Sequence, residues 1–305
     1  MASESLEHLS EQAYCQQRTP FLARLSCIRF SEVALLQATP LMGLILGADM
    51  FTPVAAFTAL HMILASFVLV ACVFCLNDWV GIAADANDPN KIGRIFTAKG
   101  VTTEGMAGLT LGLGLIALLL FSFLPARTLA LACLLGMLGL FYSFPNGGAK
   151  GIPALSSAFH VIGGTTHFLI GYSAFTAVDL RGVQFAVYCG LIFAAGHLNQ
   201  EVRDYDGDRR SGILTNAVRF GKRRTFLGSF VLFTCAYCLL AWLLVEYVSA
   251  PLLTGLCVLY LIHALLFWTI CRGALTHNDV SRYQRHYRVL HIVIGLGLAA
   301  GWLRL

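Results

Sequence analysis

The chain alternates long apolar stretches with short polar ones. Nine of the apolar stretches reach about 20 residues, the length with which an α-helix crosses ~30 Å of hydrocarbon. They cover residues 31–48, 54–76, 104–124, 127–145, 153–174, 181–200, 225–246, 250–271 and 286–304. The pattern predicts an all-α integral membrane protein, with residues 1–25 as a lead-in and residues 26–305 as one transmembrane domain.

The composition agrees with this interpretation. Hydrophobic residues make up 57% of the 305 residues and charged residues only 12%, a balance typical of chains that face lipid and unlike that of soluble domains. The first 25 residues contain Glu4, Glu7 and Glu11 and lack the apolar core of a signal peptide. We interpret them as a short cytoplasmic segment.

Basic residues predict the orientation in the membrane. Eighteen of the 21 Lys and Arg residues lie in the N-terminal segment or in loops that follow even-numbered spans; the exceptions are Arg127, Arg181 and Arg304. The positive-inside rule then places the N terminus on the cytoplasmic side. The net charge of +5 is accounted for by topology and anionic lipid, and nothing indicates nucleic-acid binding. We expect a multi-pass protein of a prokaryotic inner membrane.

Acidic side chains gather at two places on this cytoplasmic face. The first acidic cluster follows the second span and contains Asn77, Asp78, Asp85 and Asp88. The second acidic cluster follows the sixth span and contains Glu201, Asp204, Asp206 and Asp208. Residues three or four apart share one face of a helix, so a continuous sixth helix would align most of the second cluster, together with His197, in one stripe.

The two clusters predict a site for a charged substrate. Each is followed by basic residues, Lys91 and Arg94 after the first. Facing carboxylates need cations, and oxygen ligands favour Mg²⁺, which commonly bridges carboxylates to substrate phosphates. The sequence therefore indicates a magnesium-dependent clamp for a diphosphate. Ordinary solvated loops between helices remain the alternative at this point.

Three motifs carry a resemblance to a known family. They are Asn77-Asp78 with Asp85; Tyr142-Ser143-x-Pro145 with Lys150 and Pro153; and Asp204-x-x-x-Asp208 with Gly212-x-x-Thr215 and Arg219-Phe220-Gly221. Together they resemble the UbiA superfamily of intramembrane prenyltransferases over residues 24–300. One position departs from the family pattern, because Gly81 stands where the first motif usually has its middle aspartate.

The resemblance implies a ring of nine helices around a central cavity, capped by the two acidic cytoplasmic loops. It also implies transfer of a polyprenyl group from its diphosphate to an aromatic or lipid acceptor, through an allylic carbocation. The expected metal ligands, for two Mg²⁺ ions, are Asn77, Asp78, Asp85, Asp204 and Asp208. The expected catalytic residues are the cations Lys91, Arg94 and Lys150 and the aromatic side chain of Tyr142. The expected substrate-binding residues are Arg29, Asn77, Lys150, His197 and Glu201.

Other readings stay open at the level of sequence. The stretch from Asp85 through Asp88-Pro89 to Lys91 also resembles decaprenyl-phosphate phosphoribosyltransferases of the same superfamily. A cyclase that ionises the diphosphate without an acceptor would use the same residues. A transporter would carry charge near mid-membrane, whereas these carboxylates gather at one interface. His160 and His167 share one face of the fifth span and could line a cavity or simply pack.

Overall fold

The structure is a computed structural model that describes residues 20–48, 52–144, 148–248 and 250–302. Within these ranges the regular secondary structure is helical. In chain order the α-helices are α1 (Pro20–Leu25), α2 (Phe30–Leu36), α3 (Ala38–Gly47), α4 (Pro53–Val80), α5 (Ile82–Asp85), α6 (Thr103–Ser122), α7 (Ala126–Ser143), α8 (Leu155–Ser173), α9 (Leu180–Arg210), α10 (Asn216–Phe220), α11 (Lys222–Leu243), α12 (Ala250–Cys271) and α13 (His277–Trp302).

The predicted spans coincide with helices. Six helical segments among the described residues are long and apolar enough to cross a membrane: Phe30–Gly47, Pro53–Val80, Thr103–Ser122, Ala126–Ser143, Lys222–Tyr247 and Leu252–Cys271. The remaining three predicted spans are also helical, as α8, α9 and α13. Their hydropathy is lower because they carry polar side chains that are buried inside the protein, among them His167, Asn199 and Gln284. The chain is a multi-pass integral membrane protein.

The first predicted span is interrupted. It divides into α2 and α3 at Gln37, because Pro40 has no N–H to bond the carbonyl of Leu36 and its ring crowds the preceding turn. The α3 segment packs closely on α8. A Cβ atom on Gly43 would collide with the backbone of Phe168, and one on Gly171 with the backbone of Pro40. Only glycine permits this approach of the two helices.

The sixth predicted span extends far beyond its predicted end at residue 200. Helix α9 begins with Asp179 as its N-cap, whose carboxylate accepts from the N–H of Gly182 at 2.7 Å, and continues to Arg210. Its 31 residues are about 46 Å long, more than a bilayer core requires. The continuous stripe from His197 to Asp208 is thereby confirmed, and its acidic end projects past the apolar part of the helix.

The long helices form a closed circuit of contacts. Each packs against the next in sequence, and α13 returns to pack against α3. Two of the largest fully buried side chains, Tyr172 and Phe185, lie where α8, α9 and α11 meet. The predicted lead-in at residues 1–25 lies mostly outside the described residues. Its last part, α1, contacts α6 and buries Ala23.

Candidate active site

The two acidic clusters face each other across a single lysine. The ammonium of Lys91 lies 3.1 Å from Asp85 Oδ1 and 3.3 Å from Asp204 Oδ2. Asp85 ends the short helix α5, which turns the chain back over the site after α4. Asp204 comes from the extension of α9. The structure therefore brings residues that are far apart in sequence to one place.

Two further contacts hold the clusters together. Ser211 Oγ donates to the carbonyl of Ala84 at 3.2 Å. A Cβ atom on Gly207 would lie 2.5 Å from Asp88 Oδ2, so the backbone of α9 touches this carboxylate directly. Asp88 is buried and accepts from the backbone N–H of Asn90 at 3.0 Å. Asp88 therefore packs the loop of the first cluster against the backbone of α9, which carries the second.

Asp78 is paired with an arginine from the start of the chain. Arg29 binds it with two nitrogens, one of them Nε at 3.1 Å from Oδ2. The same guanidinium lies 3.5 Å from Glu32 and 5.5 Å from the centre of the Phe74 ring. The guanidinium of Arg29 is thus already paired with carboxylates of the protein, and it lies at one edge of the first cluster.

The segment after α7 joins the first cluster. Asn77 Nδ2 donates to Ser143 Oγ at 3.1 Å, which connects two of the three sequence motifs. A Cβ atom on Gly81 would lie 3.7 Å from the ammonium of Lys150. Where the family motif has an aspartate, this protein therefore has Gly81, which lacks a side chain, and the ammonium of Lys150 lies beside it.

The carboxylates of the second cluster differ in their electrostatics. Burial alone would raise the pKa of Asp204, but hydrogen bonds and charge from Arg203, at 2.7 and 3.1 Å, together with Lys91, lower it to about 2. Burial and the nearby negative charge of Asp204 raise the pKa of Asp208 to about 7. Asp208 has no side-chain hydrogen bond or ion pair within the part of the chain described. Asp208 is therefore open to a ligand.

A polar group lies deeper, on the membrane side of the clusters. Glu201 is only 4% exposed. Its Oε1 accepts from Asn216 Nδ2 at 3.1 Å and from Ser156 Oγ at 3.2 Å, and lies 3.0 Å from His197 Nε2. The His197 ring stacks on His160 with centroids 3.6 Å apart. This inner polar group continues the stripe of α9 below the acidic end.

The remaining predicted residues lie at different distances from the clusters. Tyr142 packs its ring edge-to-face on His160, with centroids 5.0 Å apart, next to the inner polar group. Arg94 lies on the exposed turn Ile92–Arg94, and among the described residues its side chain makes no ion pair with either cluster.

Sequence reasoning assigned no role in the site to four residues, although Ser143 stands in one of the motifs. Arg203 is adjacent to Asp204 and Asn216 to Thr215, so their closeness to motif residues was a usable signal. The partners Ser143 and Ser156 required the tertiary structure, because nothing in their local sequence indicates which helix they face. The four residues that were passed over are Ser143, Ser156, Arg203 and Asn216.

The donors of the site fit magnesium by their chemistry. They are carboxylate and amide oxygens, which Mg²⁺ prefers. Among the described residues no three His, Cys, Asp or Glu side chains form a ready-made cage, because Arg29, Lys91 and Arg203 take up faces of the carboxylates. Mg²⁺ usually needs only one or two carboxylates, with water and phosphate oxygens completing its shell. The residues present therefore suit Mg²⁺ that arrives with a diphosphate.

Comparison with known proteins agrees with this geometry. The sequence profile of the UbiA prenyltransferase family matches residues 37–293. Among solved structures, a UbiA homolog from Archaeoglobus fulgidus bound to GPP and Mg²⁺ has a TM-score of 0.70 at 14% identity, with 91% of this chain and 99% of that one covered. A digeranylgeranylglyceryl phosphate synthase gives 0.70 at 15% identity, with 94% and 99% covered.

A UbiA homolog from Aeropyrum pernix K1 gives a TM-score of 0.68 at 18% identity and covers 90% of this chain and 98% of that one. No curated protein sequence matches the chain. At these identities the structures show a shared fold, and the family profile covers most of the sequence, including both acidic clusters. The chain is an enzyme of the UbiA prenyltransferase family.

Proposed function

We propose that the enzyme transfers a polyprenyl group from its diphosphate to an acceptor, with Mg²⁺, by ionisation to an allylic carbocation. The acceptor is proposed to be aromatic. The observation that carries the proposal is the position of Lys91, within 3.3 Å of carboxylates from both clusters. Two acidic loops that share one cation can surround one diphosphate.

The metal-binding residues in this proposal lie on both sides of Lys91. When bound, Mg²⁺ neutralises charge on the departing diphosphate. Two ions are proposed, since the clusters offer oxygen atoms on two sides. The ligands proposed are Asn77, Asp78, Asp85, Asp204 and Asp208.

The cations of the chain act on the leaving group. Lys91 and Lys150 carry positive charge where the diphosphate gains negative charge, and such fixed charges contribute most where water is excluded. Arg94, at the exposed mouth, adds a weaker, longer-range attraction. Tyr142 presents an aromatic ring beside the inner polar group, where it can stabilise the carbocation.

The membrane arrangement proposed follows from the helices. Nine membrane-crossing helices, including the three that carry buried polar side chains, surround a central cavity within one domain of residues 26–305. The N terminus and both acidic clusters face the cytoplasm, as the distribution of Lys and Arg favours. An apolar cavity limits the access of water to the carbocation, so that a bound acceptor captures it first.

The proposal is tested with the purified protein in lipid nanodiscs, supplied with geranylgeranyl diphosphate, Mg²⁺ and a panel of aromatic and lipid acceptors. We expect Mg²⁺-dependent diphosphate release and a prenylated product. Asp204→Asn should lower kcat/KM by about 1,000-fold, because it removes a charge that holds the clamp. The matched control is Asp206→Asn, on the same helix but 65% exposed and paired with Lys222, which should remain near wild type.

The other outcomes identify other reactions. Release of diphosphate that survives Asp204→Asn would rule out the proposed site. Release from phosphoribosyl diphosphate with a polyprenyl phosphate as acceptor would instead show phosphoribosyl transfer. A cyclised hydrocarbon formed without any acceptor would show a cyclase.

A further inference from the structure

The inner polar group contains two buried polar atoms that lack a hydrogen-bond partner among the described residues. Glu201 Oε2 and His197 Nε2 are buried and make no hydrogen bond among the described residues. Oε1 of the same carboxylate is fully engaged by Asn216 and Ser156. Nε2 lies 3.0 Å from Oε1 without hydrogen-bond geometry. A buried polar atom without a partner is costly and rare in native proteins, so the pair is suited to a ligand that brings a donor.

We propose that Glu201, assisted by His197, accepts the proton of an uncharged hydroxyl-bearing acceptor. This inference rests on the proposed prenyl transfer and identifies the acceptor class: a neutral phenol or alcohol. It assigns to Glu201 a catalytic contact with the acceptor.

The depth of the group agrees with this role. Glu201 precedes Asp204 by three residues on the continuous helix α9, which places it about 4.5 Å further into the membrane. A diphosphate held at Asp204 and Asp208 directs its prenyl chain inward, toward the apolar interior. The carbon that ionises therefore lies at the level of Glu201, where an acceptor hydroxyl bound to Oε2 can reach it.

The charges of the site disfavour an anionic acceptor. Arg29, which the sequence suggested for an acceptor carboxylate, already binds Asp78 and lies close to Glu32. The carboxylate of Glu201 lies within the inner polar group, and Asp208 is close enough to interact with it; both would repel a second carboxylate in a site of low dielectric. A hydroxyl group instead satisfies Oε2 by donating to it. The residues therefore select for a neutral donor.

The proposed step balances. The bond between prenyl C1 and the diphosphate oxygen breaks, and both electrons leave with the diphosphate. The acceptor oxygen forms a new bond to C1 while its proton passes to Glu201 Oε2. If a ring carbon of a phenol attacks instead, the same O–H proton leaves and the ring proton then moves to the phenol oxygen.

His197 acts on the carboxylate that receives the proton. Its Nε2 faces Glu201, and its ring is supported by the stacked His160 and the edge of Tyr142. Asn216 and Ser156 fix Oε1, so Oε2 is held in one orientation. General acid–base groups of this kind typically contribute about 100-fold or more to the rate.

The test compares two isosteric acceptors in nanodiscs with geranylgeranyl diphosphate and Mg²⁺: 4-hydroxybenzamide, which is neutral, and 4-hydroxybenzoate, which is anionic. Larger phenols, quinols and long-chain alcohols complete the panel. Diphosphate release and prenylated product are measured separately. We expect prenylation of neutral hydroxyl compounds, and a kcat/KM at least about tenfold higher for the amide than for the acid.

The variant that tests Glu201 is Glu201→Gln, which keeps the shape of the side chain. Prenylated product should fall about 100-fold, while diphosphate release continues within about threefold of wild type because water captures the carbocation as prenyl alcohol. His197→Gln should also lower the ratio of prenylated product to released diphosphate. Glu104→Gln, at an exposed glutamate in the first turn of α6, is the matched control and should change neither quantity.

The outcomes separate this inference from the function on which it rests. Absence of diphosphate release in the wild-type protein would contradict prenyl transfer itself. Release with product from anionic acceptors only, or from none of the neutral hydroxyl compounds, would overturn the acceptor class. If Glu201→Gln forms as much prenylated product per diphosphate released as the wild-type protein, the role of Glu201 is overturned. If Glu201→Gln does not fold, His197→Gln takes its place: a wild-type ratio of prenylated product to released diphosphate in that variant would also overturn the role of Glu201.

Discussion

The two acidic clusters are alike in sequence and different in charge balance. In the first cluster, Asp78 is bound by Arg29 and Asp85 by Lys91, and Lys150 lies beside Gly81. In the second cluster, Asp204 is held by Arg203 and shares Lys91, whereas the pKa of Asp208 is raised to about 7 by burial and by the charge of Asp204. The first cluster is compensated by the protein, and the second retains surplus negative charge.

This difference indicates a division of labour. Ligands for Mg²⁺ are proposed in both clusters, but the cations of the first cluster add attraction for phosphate oxygens, whereas the uncompensated Asp208 of the second adds attraction for Mg²⁺. Lys91 lies between the two clusters and contacts both. Variants in the first cluster should therefore change mainly diphosphate affinity, variants in the second mainly metal dependence, and variants of Lys91 both.

Among the three changes that follow here, the largest effect is expected from Lys91→Met. Without the ammonium, Asp85 loses its cation, Asp204 keeps only Arg203, and the donor loses a cation. We expect kcat/KM for the prenyl diphosphate to fall about 100-fold. Arg94→Met is the comparison, because Arg94 is exposed and exposed charges contribute little; its effect should stay within about threefold. Equal losses in the two variants would contradict the bridging role of Lys91.

The second-largest expected effect is the change of apparent Mg²⁺ affinity with pH. In the proposed site Mg²⁺ binds ionised Asp208, and burial together with the charge of Asp204 raises the pKa of this carboxyl to about 7. Protons compete with the metal below this pKa, so the apparent Mg²⁺ affinity should fall about tenfold for each pH unit below it and level off above it. The pKa of Asp204, about 2, keeps that group ionised throughout. Magnesium titrations of turnover across this range measure the effect.

Two variants locate the titrating group. Asp208→Asn should weaken magnesium binding and remove its pH dependence, while Asp206→Asn, whose side chain is exposed and paired with Lys222, should retain the wild-type profile. A profile that persists in Asp208→Asn would assign the titration to another residue.

The smallest effect is expected from Gly81→Asp, which restores the aspartate of the family motif. A Cβ atom here would lie 2.8 Å from the carbonyl oxygen of Asn77 and 3.7 Å from the ammonium of Lys150. Any side chain here must therefore shift the backbone slightly, and a carboxylate would in addition pair with Lys150 and withdraw it from the diphosphate. The donor KM should rise about three- to tenfold. Gly81→Asn adds the same bulk without charge and should have less effect. A gain in magnesium affinity without any change in donor KM would contradict this role of Lys150.

Much of the fold was predictable, for a physical reason. Lipid contact forces long apolar runs, so the spans at 54–76 and 104–124 correspond closely to Pro53–Val80 and Thr103–Ser122. The spacing of His197, Glu201, Asp204 and Asp208 predicted one stripe, which the continuous helix α9 confirms. The predicted span stopped at residue 200 because the last ten residues of the helix are mostly polar, with Val202 as an apolar exception.

The site was only partly predictable. The motifs indicated two facing clusters, and the structure brings them together through Lys91. The pairing of Arg29 with Asp78 connects side chains 49 positions apart, and no local pattern specifies which carboxylate an arginine will bind. The same holds for Asn216 and Ser156 around Glu201. Tertiary packing decides such contacts.

The central claim is that the two clusters form one diphosphate site. The most direct measurement is a double-mutant cycle on Mg²⁺-dependent diphosphate release in nanodiscs, with Asp85→Asn, Asp208→Asn and the double variant. We predict about a 100-fold loss in each single variant and little further loss in the double variant, because a clamp fails when either half fails. Losses that multiply in the double variant, or near wild-type release in either single variant, would contradict a shared site.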